Sequence, residues 1–232
     1  RDPVPIRPGM HYPMGGIKAD VNGLTPVPGL YAAGETACVS VHGGNRLGAN
    51  SLLDTLVFGR RSGQHASDAV KGQTHAAIGE SAADPDREQI RDLLDNDADG
   101  ELFGPLRMDL GQTMNERLAV FRDQAGMEAA RDRLGDFRVR ASKIYVADKG
   151  KTFNMNLLFT LELGFMVDCA EAVVFSALER RESRGAHFRT DMLERDDESW
   201  LKHVLVTRGE EGPTVEYLPV VITRWTPEAR KY

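Results

Sequence analysis

Cysteine is scarce in this chain of 232 residues, which contains only Cys38 and Cys169. The two lie far apart in sequence, so they form no disulfide framework, and this usage fits a reducing compartment. Paired histidines at metal-ligand spacing are also lacking, and the sequence therefore predicts no metal site. Excess positive charge is missing as well. The net charge of -6 gives no electrostatic argument for binding nucleic acid.

A long uninterrupted hydrophobic run is also missing. The most apolar segment, residues 157–178, is interrupted by Glu162, Asp168 and Glu171. A membrane span rarely tolerates such acids, so we expect this segment to be a buried helix. The remaining composition, with 41% hydrophobic and 28% charged residues, is typical of a globular protein large enough to hold one or two domains.

Glycine, by contrast, is concentrated near the start of the chain. Residues 29–35 read GLYAAGE, and residues 41–54 read VHGGNRLGANSLLD. This pattern predicts a short strand, a turn and a helix, and its glycines let the backbone approach a ligand closely or adopt positive φ. Asn50 or Ser51 can cap the helix and leave backbone N–H groups aimed at an electron-rich ligand. Together with the acid Glu35, this arrangement suits a flat, hydroxyl-rich cofactor.

The same residues resemble a known family. Residues 34–35 and 40–54, together with HYPMGGI at residues 11–17, resemble the flavoprotein subunit of succinate dehydrogenase and fumarate reductase. Downstream, RGAHFRTD at residues 184–191 and RDD at residues 195–197 resemble the C-terminal helical region of that subunit. The final RKY is similar to bacterial members. The resemblance covers essentially the whole chain, and two long motifs in order make it more specific than a lone glycine pattern.

The resemblance implies an FAD cofactor and a fold in two parts. The first part would be the C-terminal segment of an α/β, Rossmann-like FAD-binding domain, and the second an α-helical bundle domain followed by a short β tail. No Gly-x-Gly-x-x-Gly phosphate loop occurs in the sequence. We therefore expect the chain to be a C-terminal fragment. The dinucleotide fingerprint, the histidine that binds the flavin covalently and most of the capping domain would lie upstream of Arg1.

Composition and hydrophobic periodicity divide the chain further. The expected segments are residues 1–70, the C-terminal part of the FAD-binding domain; 71–88, a linker; 89–200, the helical domain; and 201–232, a β-containing tail. The predicted helices cover residues 51–69, 105–121, 126–141 and 154–182, the last with Asn154 as its N-cap. The predicted strands cover residues 30–33, buried, and 200–207 and 215–225, paired with each other.

Arg46 is the strongest candidate for substrate binding. An arginine fork binds a carboxylate through two hydrogen bonds and keeps its charge at any working pH. In the family that the chain resembles, the matching arginine holds a substrate carboxylate beside the flavin, and the histidine matching His11 hydrogen-bonds the dicarboxylate. Taken without the resemblance, Arg46 can equally be a surface ion-pair residue, and His11 a structural histidine.

The cofactor contacts are assigned to Glu35, Asn50, Ser51 and Leu52. The resemblance implies that Glu35 holds FAD, as acids hold ribose hydroxyls in dinucleotide sites. The N–H groups of Ser51 and Leu52 at the helix start would face the flavin's pyrimidine carbonyl, where the helix dipole favours negative charge. The alternatives are a solvated carboxylate at Glu35 and a simple helix cap at Ser51. His42 we interpret as a packing or loop-anchoring residue.

The other charged groups look structural. Residues 179–182, which read ERRE, are interpreted as a solvated helix end. A further set is expected to form an ion-pair network that locks the helical block to the cofactor block. Its members are Arg184, His187, Arg189, Asp191, Arg195, Asp196 and Asp197.

The resemblance implies that the complete subunit oxidises succinate to fumarate in the tricarboxylic acid cycle. Electrons would pass to an iron–sulfur subunit and then to quinone. Membrane anchor subunits would hold the complex, with this subunit peripheral at the cytoplasmic side of the bacterial inner membrane. The family's proton-transferring arginine would lie upstream, so we expect no catalytic residue in this chain and no activity from the chain alone. The physiological direction stays open, because respiratory fumarate reductase is a near rival and the direction depends on the quinone and cofactor potentials.

Two other functions stay open at this point. L-aspartate oxidase shares the fold and the use of one histidine and one arginine, although residues 39–42 and 53–54 resemble succinate dehydrogenase more. The lack of a phosphate loop also allows the isolated chain to be a non-catalytic helical interaction module.

Overall fold

The computed structural model describes residues 3–5, 9, 11–96, 100–210 and 212–228. The RKY motif at residues 230–232 therefore lies outside the described residues. The helices are α1 (Asn50–Ala69), α2 (Asp84–Asp95), α3 (Phe103–Arg117), α4 (Gln124–Ala141), α5 (Met155–Glu179) and α6 (Asp197–Trp200). The strands are β1 (Ile17–Lys18), β2 (Ala37–Cys38), β3 (Phe121–Arg122), β4 (Phe188–Arg189), β5 (Lys202–Gly209) and β6 (Gly212–Pro219). Short 3-10 helices occupy Gly34–Thr36 and Glu80–Ala83.

β1 and β2 join the two N-terminal motifs as a parallel pair. Gly16 lies immediately before β1 with φ +121°, and a Cβ atom placed on it would meet the Thr36 carbonyl oxygen at 2.4 Å. Only glycine fits such a close approach. This position therefore brings the HYPMGGI motif against the segment that carries Glu35.

α1 confirms the predicted helix and begins one residue earlier, at Asn50. It packs against the 3-10 helix at residues 34–36. A Cβ atom on Gly34, which has φ +75°, would lie 2.9 Å from Thr55 Cγ2 of α1. The glycine at the end of the GLYAAGE motif thus lets Glu35 sit beside the first turns of this helix.

Residues 30–33 do not form the buried strand that the sequence predicts. Leu24 and Tyr31 make an isolated antiparallel bridge, and Leu30 is 48% exposed. The Leu30 N–H donates to the Val27 carbonyl oxygen at 3.0 Å and closes a tight turn. The apolar run is therefore one arm of a tight turn, with Ala32 buried, rather than a central strand.

The main core lies between α3, α4 and α5. The Asp123 carboxylate accepts the Gly126 N–H at 2.6 Å at the start of α4, and the Asn154 side chain accepts the Leu157 N–H at 2.9 Å at the start of α5. Both caps satisfy donors that helix ends leave unpaired. The predicted helices and the Asn154 cap are confirmed, although α3 ends earlier, at Arg117. The buried residues are Leu106, Leu110, Leu118, Met127, Ala130, Leu134, Phe137, Ile144, Leu163, Val167, Ala170, Val174 and Ala177.

Two of the acids inside the apolar helix α5 pair with α4. Arg138 donates to Asp168 at 2.8 Å and to Glu171 at 2.9 Å. These ion pairs lie at the partly exposed edge of the helix contact, so they set the alignment of α4 and α5 without placing charge in the core. None of the helices in the described part of the chain is both long and apolar enough to cross a membrane.

Part of the expected linker at residues 71–88 is helical, and that expectation is wrong from residue 80 onwards. A 3-10 helix covers Glu80–Ala83, and α2 begins at Asp84. Asp84 and Asp86 lie in the first turn, where the helix dipole favours negative charge. Pro85 is tolerated there because N–H groups in the first turn have no partner within the helix. These helix-start residues have the same composition as a linker, which is why composition alone gave no sign of the two helices.

The predicted strand pair in the tail is confirmed. β5 and β6 pair antiparallel along their full length, whereas residues 220–225 lie beyond the second strand. The Tyr217 hydroxyl donates to Glu179, and Arg208 pairs with Asp168 at 3.1 Å. The hairpin therefore lies along α5. The chain from residue 80 onwards agrees with the expected helical bundle and β tail, and the described residues before it form α1, one 3-10 helix, short strands and turns.

We predict that Leu163→Ala lowers the free energy of unfolding by about 2–5 kcal/mol, because truncation leaves a cavity in this core. Leu163 is 1% exposed, whereas Phe165 on the same helix is 67% exposed. Phe165→Ala is therefore the control and should change stability by no more than about 0.5 kcal/mol. Urea unfolding followed by circular dichroism measures both variants, and equal losses would contradict this assignment of the core.

Candidate functional site

Two side chains from separate parts of the N-terminal half meet at the carboxylate of a third residue, Asp54. The Tyr12 hydroxyl donates to Asp54 Oδ2 at 3.0 Å, and His42 Nε2 lies 3.1 Å from the same oxygen. Asp54 lies on α1 and is 3% exposed, and Tyr12 is buried as well. The Tyr12 and His42 rings meet edge to face, with centroids 5.2 Å apart. These three residues, the Asp54 cluster, join the HYPMGGI motif, the glycine loop and α1.

The carboxylate determines where the protons of the cluster lie. A carboxylate only accepts, so His42 Nε2 carries the proton shared with Asp54. Burial raises the pKa of Tyr12 to about 12, and the hydrogen bond to Asp54 and its negative charge act in the same direction. Tyr12 is therefore a neutral phenol at working pH. The contact of His42 agrees with its interpretation as a loop-anchoring residue.

Arg46 extends from the glycine loop across the face of Tyr12. Its guanidinium carbon lies 5.0 Å from the ring centroid, within the range of a cation–π interaction. Its Nη1 donates to the Leu47 carbonyl oxygen at 3.1 Å. The structure thus places Arg46 against the residue that directly follows His11. His11 itself is exposed, and its side chain makes no hydrogen bond to any described residue.

Buried polar atoms without a hydrogen-bond partner gather at this point. Within the described residues, these atoms are His42 Nδ1, Arg46 Nε and Asp54 Oδ1. Buried polar groups are normally paired, so three unpaired atoms in one place indicate a site completed by another polar group. A cleft of about 170 Å³ opens beside them, lined by Val41, His42, Asn50, Leu53, Asp54, Val57 and Phe58. Mostly apolar walls with a few convergent polar atoms are typical of a small-molecule site.

α1 begins without the side-chain cap that the sequence predicts. Ala49 occupies the N-cap position with φ +65°, so Asn50 and Ser51 already lie inside the helix, too late to cap it. The Asn50 N–H donates to the Leu47 carbonyl oxygen and the Leu52 N–H to that of Ala49, each at 3.2 Å. The Ser51 N–H has no partner among the described residues. Since the first turn also contains no acid, the positive end of the helix is not neutralised.

Glu35 lies close to the same site. It is exposed in the 3-10 helix at residues 34–36, and its carboxylate accepts no hydrogen bond from a described residue. Besides burial and Asp54, the negative charge of Glu35 raises the pKa of Tyr12, so Glu35 is within electrostatic reach of the Asp54 cluster. This carboxylate is available to accept hydrogen bonds from the hydroxyl groups of a ligand.

Residues 179–182 are not the solvated helix end that the sequence suggested. Glu182 is 1% exposed, and its carboxylate accepts hydrogen bonds from Arg180 at 2.6 Å and from Arg184 at 2.6 and 2.9 Å. The chain leaves α5 at Arg180 and folds back, which turns Glu182 inward. The two guanidinium groups compensate the buried charge.

Three ion pairs of the predicted network form just after this turn, but they lie within residues 184–197, and the contact with the glycine loop is a backbone hydrogen bond. The Ala186 N–H donates to the Gly44 carbonyl oxygen at 2.8 Å. Two of the predicted members take other roles, since Asp196 caps α6 and His187 contacts Arg122. The ion pairs are Arg184–Asp197, Arg189–Asp191 and Arg195–Asp197.

His187 lies among arginines. Arg122 Nη1 donates to its Nδ1 at 2.9 Å, and its Nε2 lies 3.2 Å from the Arg180 carbonyl oxygen. Burial lowers the pKa of His187 to about 4, and the positive charges of Arg122, Arg180 and Arg189 act in the same direction. His187 is therefore neutral at neutral pH, with its proton on Nε2.

Sequence reasoning assigned no role to Tyr12 or Asp54. The available signal was Asp54 itself, an acid among the apolar residues that begin α1, because a buried acid requires donors. Tyr12 also directly follows His11 in its motif. However, the two are 42 residues apart, and residue spacing does not reveal which donor reaches the carboxylate.

The donors and acceptors of this site fit a flavin cofactor. The positive end of α1 and the unpaired Ser51 N–H suit an electron-rich ring edge, and Glu35 suits hydroxyl groups. No group of three or more His, Cys, Asp or Glu side chains placed to hold a metal ion occurs in the described part of the chain. Residues 1–52 match the family model of an FAD binding domain, so the chain is part of a flavoprotein.

A second family model, described as the C-terminal part of fumarate reductase flavoproteins, matches residues 107–232. The chain belongs to the family of fumarate reductase and succinate dehydrogenase flavoproteins. The two matches confirm the resemblance carried by the sequence motifs, and with it FAD as the cofactor.

Relatives and solved structures agree with this family. The fumarate reductase flavoprotein subunit of Haemophilus influenzae is 41% identical over 236 residues, covering 100% of this chain and 39% of that subunit. The succinate dehydrogenase flavoprotein subunit of Rickettsia conorii is 39% identical, covering 98% of this chain and 40% of that subunit. A solved structure of a variant of Escherichia coli quinol fumarate reductase matches with a TM-score of 0.90 and 39% identity, covering 98% of this chain and 40% of that one. The chain thus spans about two fifths of the length of these relatives.

We predict that Tyr12→Phe lowers the free energy of unfolding by about 1–3 kcal/mol, because the buried Asp54 loses one of its donors. Tyr145→Phe is the matched control. The Tyr145 hydroxyl makes no hydrogen bond to a described residue, so its removal should change stability by no more than about 0.5 kcal/mol. Urea unfolding measures both variants. A Tyr12→Phe protein as stable as the control would show that Asp54 does not depend on this hydroxyl.

We also predict a loss of stability as the pH falls from 6.5 towards 4. Folding lowers the pKa of His187 from 6.5 to about 4, so its contribution is complete above pH 6.5 and is lost as the pH falls through that window. Between pH 8 and pH 5 this loss is about 2 kcal/mol. His187→Gln should remove it, whereas His75→Gln, at an exposed position, should not. Unfolding free energies at the two pH values test this, and an unchanged pH dependence in His187→Gln would refute it.

Proposed function

We propose that this chain is part of the FAD-containing catalytic subunit of an enzyme that oxidises succinate to fumarate. The observation that carries the proposal is the placement of Arg46. Its guanidinium lies over Tyr12, against the Asp54 cluster and in the loop that leads into the uncapped start of α1. The Arg46 guanidinium is suited to bind a carboxylate, and the positive N-terminal end of α1 is suited to bind an electron-rich ring beside it.

In this proposal, Arg46 and His11 bind one carboxylate of the substrate. The arginine fork supplies two charge-assisted hydrogen bonds, and the exposed imidazole of His11 supplies another. Tyr12, itself hydrogen-bonded to Asp54, holds the guanidinium against its ring face. Fixing the dicarboxylate in one orientation lowers the barrier by positioning, and no residue of this chain is assigned to proton transfer, which we place on an arginine outside it.

Glu35, Asn50, Ser51 and Leu52 are proposed to hold the cofactor. When bound, FAD supplies the acceptor for the hydride removed from succinate. Ser51 offers its unpaired N–H, and the dipole of α1 favours negative charge at that end. The N–H groups of Asn50 and Leu52 donate to backbone carbonyl oxygens of the same turn and so maintain its shape. Glu35 accepts hydrogen bonds from hydroxyl groups of the cofactor.

The wider role rests on the names of the relatives, which are flavoprotein subunits of fumarate reductase and succinate dehydrogenase. We therefore propose that electrons pass to an iron–sulfur subunit and then to quinone. Membrane anchor subunits would hold the complex, with this subunit peripheral at the cytoplasmic side of the bacterial inner membrane. The division into residues 1–70, 71–88, 89–200 and 201–232 belongs to the same proposal, with the helical part now starting at residue 80.

We predict that Arg46→Lys lowers kcat/KM for succinate by about 30- to 1000-fold in the flavoprotein that contains this chain. Lysine keeps the charge but loses the planar fork, and one arm of such a pair in a dry site is worth on the order of 2–4 kcal/mol. Flavin content should stay near that of the wild type, because Arg46 is assigned to the substrate. Steady-state kinetics with an artificial electron acceptor and flavin absorbance measure the two effects.

Arg131→Lys is the matched control, because Arg131 is exposed on α4 and should tolerate the change. His11→Ala should follow the pattern of Arg46→Lys with a smaller loss, since an imidazole contributes less than a guanidinium. A near-normal kcat/KM for Arg46→Lys, or loss of flavin together with activity, would make Arg46 a structural residue and overturn the substrate assignment.

A further inference from the structure

The loop that carries Arg46 is held at two points by the C-terminal half of the chain. Ser40 Oγ lies 2.8 Å from His203 Nε2 of β5, and the Gly44 carbonyl oxygen accepts the Ala186 N–H at 2.8 Å. Ser40 has φ +70°, an uncommon conformation for a residue other than glycine. Such a conformation persists only where surrounding contacts impose it. The shape of the loop therefore depends on residues far along the chain.

The contact at Gly44 is unusually close because glycines stand on both sides. A Cβ atom on Gly185, which has φ +59°, would lie 2.2 Å from the Gly44 carbonyl oxygen. A Cβ atom on Gly44 would meet Arg184 Cγ at 2.8 Å. The turn is closed by the Arg184 N–H donating to the His187 carbonyl oxygen at 2.8 Å and by the reverse bond at 3.1 Å. A preformed turn thus presents the Ala186 N–H to the glycine loop.

A buried carboxylate holds this turn in place. Glu182 accepts from Arg180 at 2.6 Å, from Arg184 at 2.6 and 2.9 Å, and from the Asp196 N–H at 2.8 Å. Arg184 Nη2 also donates to Asp197 at 2.6 Å. A guanidinium paired on two sides is restrained in direction as well as distance. Arg184 therefore cannot turn away from Gly44 without breaking charge-assisted bonds.

We propose that Arg184, held by Glu182, is a positioning residue for Arg46. It acts through the backbone, because Gly44 is two residues before Arg46 and a displaced Gly44 moves the guanidinium away from the face of Tyr12. The helical domain then contributes to substrate binding without touching the substrate. This role rests on the proposed binding of a substrate carboxylate by Arg46, whereas the restraint on the loop can be measured independently of it.

Gly185→Ala is the first test, because the added Cβ must displace the Gly44 carbonyl oxygen. Gly72→Ala is the matched control, since Gly72 also has positive φ (+77°) but a Cβ there meets nothing within 4 Å. The measurements are hydrogen–deuterium exchange of the amides of residues 40–48 and the kinetics of succinate oxidation, in the FAD-loaded flavoprotein that contains this chain. We expect Gly185→Ala to speed exchange in the loop about tenfold and to raise KM by about 10- to 100-fold, with flavin content retained. Gly72→Ala should change neither.

Arg184→Lys is the second variant and decides the question if Gly185→Ala does not fold. It keeps a positive charge beside Glu182 but loses the fork and the bond to Asp197, so we expect the same two changes to a smaller extent. Wild-type exchange in the loop of a folded Arg184→Lys protein would overturn the proposal. Faster exchange with an unchanged KM would also overturn it. If Arg46→Lys itself leaves the kinetics unchanged, the substrate assignment fails and the positioning role fails with it, whatever the exchange rates are.

Discussion

The buried carboxylate of Asp54 is the group on which the N-terminal half of this chain depends. A carboxylate with 3% exposure is unfavourable unless donors surround it. Tyr12 and His42 supply those donors from positions 42 and 12 residues away. Asp54 can be satisfied only when the HYPMGGI motif, the glycine loop and α1 come together. Tyr12 is thereby fixed at the point where its ring face contacts the Arg46 guanidinium.

The helical half could be predicted from the sequence because its signals are local. Apolar residues at spacings of three and four define α4, and Asn154 caps α5 through an amide three residues away. The errors arose where distant groups change the meaning of a local pattern. Glu182 belongs to a charged run typical of a solvated helix end, yet the chain folds back and buries it between two arginines. Residues 30–33 look like a core strand, but they form one arm of a tight turn in which Leu30 is exposed.

The sequence likewise indicated the parts of the candidate site that depend on local patterns, and it missed the parts that depend on contacts between distant residues. The motifs made Arg46 and Glu35 candidates for binding a carboxylate and a hydroxyl-rich cofactor, and the structure places both near the Asp54 cluster. They did not reveal how α1 begins, since Ala49 adopts a left-handed conformation that moves Asn50 and Ser51 past the capping position. Nor could spacing show that a turn of the C-terminal half contacts Gly44. Contacts of this kind depend on the path of the whole backbone and not on the type of any single residue.

The hydrogen bond between Ser40 and His203 has a consequence for the order of folding. It closes a loop of 163 residues, and the entropy lost on such closure is recovered only after the intervening chain is ordered. α3, α4 and α5 pack through segments that are close in sequence, and contacts of that kind form faster. The helical bundle can thus fold first and serve as the template on which the arginine loop takes its shape last. Because the arginine loop is not part of the bundle, it can open and close locally while the bundle stays folded.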